Sequence, residues 1–109
     1  MAPSGKLDPP AHLSEEMQRL WTQIVEENAI DAAAVPILLT YCEARDRREE
    51  ARAAMKEKGP IIKDRFGVEK MSPWVAIERD STLIMHRAFR LLGFDQEARG
   101  GGDQAKLFG

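Results

Sequence analysis

The chain has 109 residues, 43% of them hydrophobic and 31% charged, with a net charge of −2. That length fits one domain with a modest core, and the near-neutral balance excludes coating of nucleic acid by bulk attraction. No apolar run approaches the roughly 20 residues of a membrane span, and the N-terminus lacks a signal-peptide core. Residues 1–12 hold three prolines and little apolar matter, and read as an extended, mobile arm.

Ser14 is placed to cap a first helix, with Glu15 and Glu16 at the positive end of its dipole. Met17 stands where a capping box needs Glu or Gln, so the box is incomplete. Met17, Leu20, Trp21, Ile24 and Val25 follow the helical spacing, and the helix is expected to end near Asn28.

A second helix is predicted from about Ala32, capped by Asp31, to Lys58, where Gly59-Pro60 stops it. At 1.5 Å per residue it measures roughly 40 Å. Pro36 is expected to remove at most one ladder bond and to bend the first turn. The first half is apolar on two faces, through Val35, Leu38, Leu39 and Cys42 on one and Ile37 and Tyr41 on the other. The second half keeps a narrow stripe of Ala44, Ala51 and Met55 among ten charged residues from Arg45 to Lys58. Such a helix is expected to be anchored at one end, to project from the globule at the other, and to meet another chain along the stripe.

Two β-prone segments around Asp64, Arg65, Phe66 and Gly67 predict a short hairpin with Gly67 at positive φ. A lone hairpin is marginal, so it is expected to rest on a helix. Ser72-Pro73 opens a third helix with Trp74, Ile77, Ile84, Ala88, Leu91 and Leu92 on one face, ended by Gly93. Residues 96–109, with three consecutive glycines, read as a flexible tail. The expected core is Met17, Leu20, Trp21, Ile24, Leu38, Leu39, Cys42, Ile77, Ile84 and Leu91.

Signatures of catalysis are missing. There is no phosphate-loop spacing and no Gly-x-Ser-x-Gly elbow. His86 has Thr82, Leu83, Phe89 and Arg90 at the three- and four-residue positions, which removes a helical metal pair; no metal or cofactor is expected. The single cysteine, Cys42, falls among apolar residues and reads as core, in a reducing cytoplasm.

The charges after Arg45 carry the functional expectation. At about 100° per residue, Arg45, Arg52 and Lys56 share a line, with Arg48 between it and the alanine stripe. Glu43, Asp46, Glu50 and Glu57 fall opposite. One reading is a solvated helix laced by pairs such as Glu43–Arg47. The other is that opposed charge faces let identical subunits pack head to tail.

The order of features resembles the P27 family of phage terminase small subunits. It begins with Leu13-Ser14-Glu15-Glu16 and a helix containing Trp21, then Tyr41-Cys42-Glu43-Ala44 with an Arg/Glu-rich stretch to Lys58-Gly59. Ile61-Ile62 follows, then Ser72-Pro73-Trp74 and a helix ending Arg90-Leu91-Leu92-Gly93-Phe94. The resemblance covers about residues 13–95. It implies a mainly α fold, a three-helix protomer with a long projecting helix and a small β-hairpin, assembling into a ring. It also implies a non-enzymatic subunit in the host cytoplasm that binds viral double-stranded DNA and presents it to the large terminase subunit, which supplies motor and nuclease. Family members often carry a longer, basic N-terminal segment, whereas Lys6 is the only basic side chain of this arm.

Glu26 and Glu27 near the first turn oppose a helix-turn-helix reading, since they would repel phosphate. The phosphate candidates are Arg45, Arg48, Arg52 and Lys56, then Lys63 and Arg65 on the hairpin; the oligomer stripe is Ala44, Ala51 and Met55. The alternative is a non-DNA-binding assembly adaptor that uses the same helix as an oligomer interface.

Overall fold

The computed structural model describes residues 7–93; positions 1–6 and 94–109, which include the expected tail, lie outside the described residues. Within it, helix α1 (Glu15–Glu27) is followed by α2 (Val35–Lys58), strands β1 (Ile61–Lys63) and β2 (Glu69–Met71), and α3 (Pro73–Leu92). The chain is mainly helical, with three helices and one two-stranded antiparallel hairpin among the described residues, as expected.

The caps explain most of these boundaries. Ser14 accepts the Met17 N–H at 3.1 Å, and α1 ends on Asn28. Ser72 accepts the Trp74 N–H at 3.2 Å with Pro73 opening α3, and Gly93 closes it at φ 85. Gly59 ends α2 at φ 81 and ψ 167. The proline that follows disfavours helical ψ at the preceding residue, so the chain leaves α2 extended and enters β1 directly.

The start of α2 differs from expectation. Asp31 caps only a single turn, its carboxylate and carbonyl both accepting from the Ala34 N–H. The helix proper begins at Val35 with Ala34 as its N-cap and no side-chain cap. Pro36 therefore lies in the first turn, whose N–H groups have no ladder partner, and it removes no bond.

The core gathers Leu13, Met17, Trp21, Ile24, Leu38, Tyr41, Cys42, Ala44, Met85 and Ala88. Most of the expected residues belong to it or pack against it; the corrections are Leu91, which is 65% exposed, and Ile77, which is half-buried and outside the cluster. The buried positions of α3 are Ser81, Met85 and Ala88, and Leu91 lies about 80° around the helix from Ser81. The face that packs is thus rotated from the one that the large aliphatics suggested.

The long helix does not project alone. Helices α2 and α3 run antiparallel, with Arg52 joined to Glu78 near one end and Ile37 beside Ala88 near the other. Their seam is the most extensive helix–helix packing in the chain. Small side chains line it: Ala44 and Ala51 on α2 are 2% and 0% exposed, opposite a helix whose buried face offers Ser81 and Ala88. Small residues let the two backbones approach closely.

Helix α1 packs on the first half of α2, and the polar contacts at its start fix its place. Asp46 on α2 accepts the Ser14 N–H at 2.8 Å and the Ser14 hydroxyl at 2.6 Å. This carboxylate supplies from another helix what the missing Glu or Gln of the capping box would have supplied locally. Asp46→Ala is expected to cost about 1–3 kcal/mol, measured by urea unfolding, because it strands the cap N–H and loosens α1 from α2. Asp46→Asn keeps an acceptor and should lose less.

Residues 7–12 have no helix or strand, yet they are fastened to the helices. The Trp21 indole N–H donates to the Leu7 carbonyl at 3.0 Å, and the Gln18 amide donates to the Leu13 carbonyl at 2.9 Å. His12 meets Glu43 at 2.7 Å. These contacts tie the second half of the expected arm to α1 and α2, and its first half lies outside the described residues.

Candidate nucleic-acid interface

The proposed cations fall into two groups that the fold treats differently. Arg45, Arg48 and Arg52 are drawn into contacts within the chain. Arg45 reaches toward Glu16 on α1 at 3.8 Å. Arg48, whose side chain is only 17% exposed, lies 3.3 Å from its neighbour Glu49. Arg52 donates to Glu78 on α3 at 2.6 Å and stands 3.7 Å from Glu49. The hydrogen bond to Glu78 raises the guanidinium above its ordinary pKa. Its charge is thereby locally compensated.

Lys56, Lys63 and Arg65 are exposed and make no ion pair among the described residues. They stand where α2 ends and the hairpin begins. From Lys56 to Lys70 this end of the molecule holds five basic side chains (Lys56, Lys58, Lys63, Arg65 and Lys70) against Glu57, Asp64 and Glu69. Helix α2 also has Lys56 and Lys58 in its last turn, where cations suit the negative end of the dipole.

The hairpin presents these charges on a defined frame. Ile61 pairs with Met71, Ile62 with Lys70 and Lys63 with Glu69. Asp64 builds the turn: its carboxylate accepts the Phe66 N–H at 2.8 Å and the Val68 N–H at 3.0 Å. Those donors, with Lys70 at 3.5 Å, hold its carboxyl below the usual carboxylate range. Gly67 takes φ 81, as the sequence predicted. Arg65 lies over the Phe66 ring, 5.0 Å from its centroid.

The hairpin does not rest on a helix. All six of its strand residues are exposed, and its base is held by the Ser72 N–H donating to the Pro60 carbonyl at 2.6 Å. Sequence reasoning missed the resulting apolar surface, in which Phe66 is 75% and Met71 66% exposed. The available signal was a pair of three-residue strands with no partner strand to cover them.

The expected oligomer stripe is largely spent inside the protomer. Ala44 and Ala51 are buried, and Met55 is half-buried. The acidic face of α2 is likewise used at its N-terminal side, where Glu43 meets His12 and Asp46 holds Ser14. Among the described residues no Glu43–Arg47 pair forms, and the Arg52 contact to Glu78 crosses between helices instead.

Among the described residues no group of His, Cys, Asp and Glu could hold a metal ion. None of the described helices is long and apolar enough to cross a membrane. Exposed cations without ion pairs and exposed large apolar side chains are both concentrated at the hairpin end among the described residues.

No curated protein and no solved structure matches the chain significantly. A family model described as phage terminase, small subunit, matches residues 14–106. That span contains every element of the fold, from the first helical residue of α1 through α3. The chain belongs to the phage terminase small-subunit family, and with it to the machinery of phage DNA packaging.

Proposed function

We propose that this chain is a P27-type small terminase subunit that assembles into a ring, binds viral double-stranded DNA through its phosphates, and presents it to the large ATPase/nuclease subunit in the host cytoplasm. It acts as a binding and positioning subunit, with no catalytic residue of its own. The observation that carries the DNA reading is the set of exposed cations Lys56, Lys63 and Arg65, free of ion pairs, at one end of a family member. Arg45, Arg48 and Arg52 add positive field behind them, although a phosphate would have to compete with Glu16, Glu49 and Glu78. Glu26 and Glu27 at the end of α1 would repel phosphate at the first turn, which favours binding to the DNA backbone at the hairpin end over a helix-turn-helix mode. Repetition around a ring multiplies a patch that is modest in one protomer.

Duplex binding at low salt tests this. Affinity is expected to fall steeply with salt, and Lys56→Ala with Lys63→Ala and Arg65→Ala to lower the log–log slope by about 0.9 for each phosphate no longer neutralised. The corresponding alanine triple at Arg45, Arg48 and Arg52 should cost less, because those side chains are already paired. Equal losses from both triples would restore the long-helix patch to first place. An intact oligomer that binds no DNA even at low salt would replace this reading with the assembly adaptor.

A further inference from the structure

Among the described residues, large exposed apolar side chains concentrate on the hairpin, at Ile61, Ile62, Phe66, Val68 and Met71. Two more lie on α3: Leu83, and Leu91 beside a groove that it forms with Ile37, Ile84 and Ala88. On the hairpin, cations are interleaved with the apolar groups. Lys63, Arg65 and Lys70 all fall between Ile61 and Met71, and all three are exposed.

A protein partner and a nucleic acid call for different surfaces. The centre of a protein interface is depleted of charge, and of lysine in particular, whereas protein–DNA interfaces are strongly positive. An aromatic ring set among cations suits DNA, because every base offers a face on which it can stack.

The turn brings these groups to one point. The Gly67 N–H donates to the Asp64 carbonyl at 2.9 Å, which makes Arg65 and Phe66 the two central residues and the tip of the hairpin. Phe66 is 75% exposed, and its own N–H is held by the Asp64 carboxylate at 2.8 Å. The Arg65 guanidinium lies over the ring, so a phosphate that it holds stands next to whatever the ring meets. Of the two acidic side chains, Asp64 is engaged by the turn N–H groups and by Lys70, and Glu69 stands opposite Lys63 in the register.

We infer that the hairpin tip is a wedge for duplex DNA: Lys63 and Arg65 hold phosphates, and Phe66 inserts against a base step, partly unstacking it and bending the duplex. This rests on the DNA-binding part of the proposed function and extends it from phosphates to bases. A wedge must not fold back under load, and Asp64 fixes the backbone of the inserting residue itself. Unstacking costs free energy, which ring stacking and the phosphate contacts of the bent duplex offset. The contact tolerates any sequence but favours steps that unstack easily.

Titration of the full chain with a duplex carrying a fluorophore at each end tests the inference, since energy transfer reads binding and bending together. Phe66→Ala is expected to weaken binding roughly tenfold and to abolish the bend. Its salt slope should equal that of the native chain, because the lost group carries no charge. Phe66→Trp should keep both affinity and bend. A single mismatch in the duplex should tighten binding of the native chain and leave Phe66→Ala unmoved, since the step is already loosened. Native affinity and bend in Phe66→Ala would overturn the wedge while leaving the phosphate reading of Lys63 and Arg65 intact. A fall in affinity accompanied by loss of oligomer mass in native mass spectrometry would assign the tip to a contact between copies and overturn it too. A native chain that binds no duplex at low salt would remove the DNA reading, and the wedge with it.

Discussion

Trp21→Ala is expected to lower folding stability by about 3–5 kcal/mol in urea unfolding. The indole is 2% exposed and lies in the same core cluster as Met17, Ile24 and Leu38. Alanine would leave a cavity between α1 and α2, and two rigid helices close such a space only in part. The side chain has a second duty, because its N–H satisfies the Leu7 carbonyl. Trp21→Phe separates the two contributions: it keeps most of the ring volume but strands that carbonyl, at about 1 kcal/mol. Hydrogen exchange then reads the arm directly. The Leu13 N–H, which donates to the Pro10 carbonyl at 3.2 Å, should lose protection in Trp21→Phe even where global stability changes little. Trp74 remains as a fluorescence probe in both variants. A loss below about 1 kcal/mol in Trp21→Ala, against the range for a buried ring, would place the indole at the surface and contradict the packing of α1.

The elements were legible because their ends carry chemistry that works locally. Ser14, Asn28, Gly59, Ser72-Pro73 and Gly93 each act within a few residues of their own position, so their effect does not depend on the rest of the fold. Gly67 is of the same kind, fixed by the turn that Asp64 organises. The three helices and the hairpin follow from these signals together with the apolar spacing. Asp31 misled because its side chain does cap a turn, but that turn is not continuous with α2.

What the sequence hid was which faces meet. The seam between α2 and α3 is made by Ala44, Ala51, Ser81 and Ala88, and small residues give almost no hydropathy signal. Ser81 even interrupts the apolar pattern at the centre of the buried face. The large aliphatics Ile84 and Leu91 therefore drew the expected stripe toward the groove side of the helix. Once α3 covers the alanines, the second half of α2 is no longer a free rod, and Arg52 faces Glu78. The same rearrangement shifts the cations without ion pairs to the hairpin end, where Lys63 and Arg65 ranked second in the sequence. Asp46 was invisible for a different reason. It completes the cap of a helix whose Ser14 lies 32 residues away, and no local spacing encodes that partnership.

Cys42 is expected to resist thiol reagents at pH 8 by roughly a thousandfold relative to an ordinary cysteine, until the chain unfolds. The side chain is completely buried in the core cluster. Burial disfavours the thiolate, and the nearby carboxylates of Asp46 and Glu43 disfavour it further against the weaker help of Arg45. Together they push the thiol from 9.0 up to about 12. Reactivity follows the thiolate fraction, and a rise of about three units removes roughly 99.9% of it at any pH below both values. The same shift makes stability depend on alkaline pH, with a definite sign. Between about 9 and 12 the unfolded chain has lost this proton while the folded chain keeps it, so the unfolded state binds fewer protons and stability falls as pH rises. Below 9 both states are protonated and the contribution is fully present. Cys42→Ala removes the titrating group, and its unfolding midpoint should decline less between about pH 9 and 11 than that of the native chain. Fast labelling of the native protein at about pH 8, at a rate unaffected by urea, would show that α2 exposes this position and that its core face lies elsewhere.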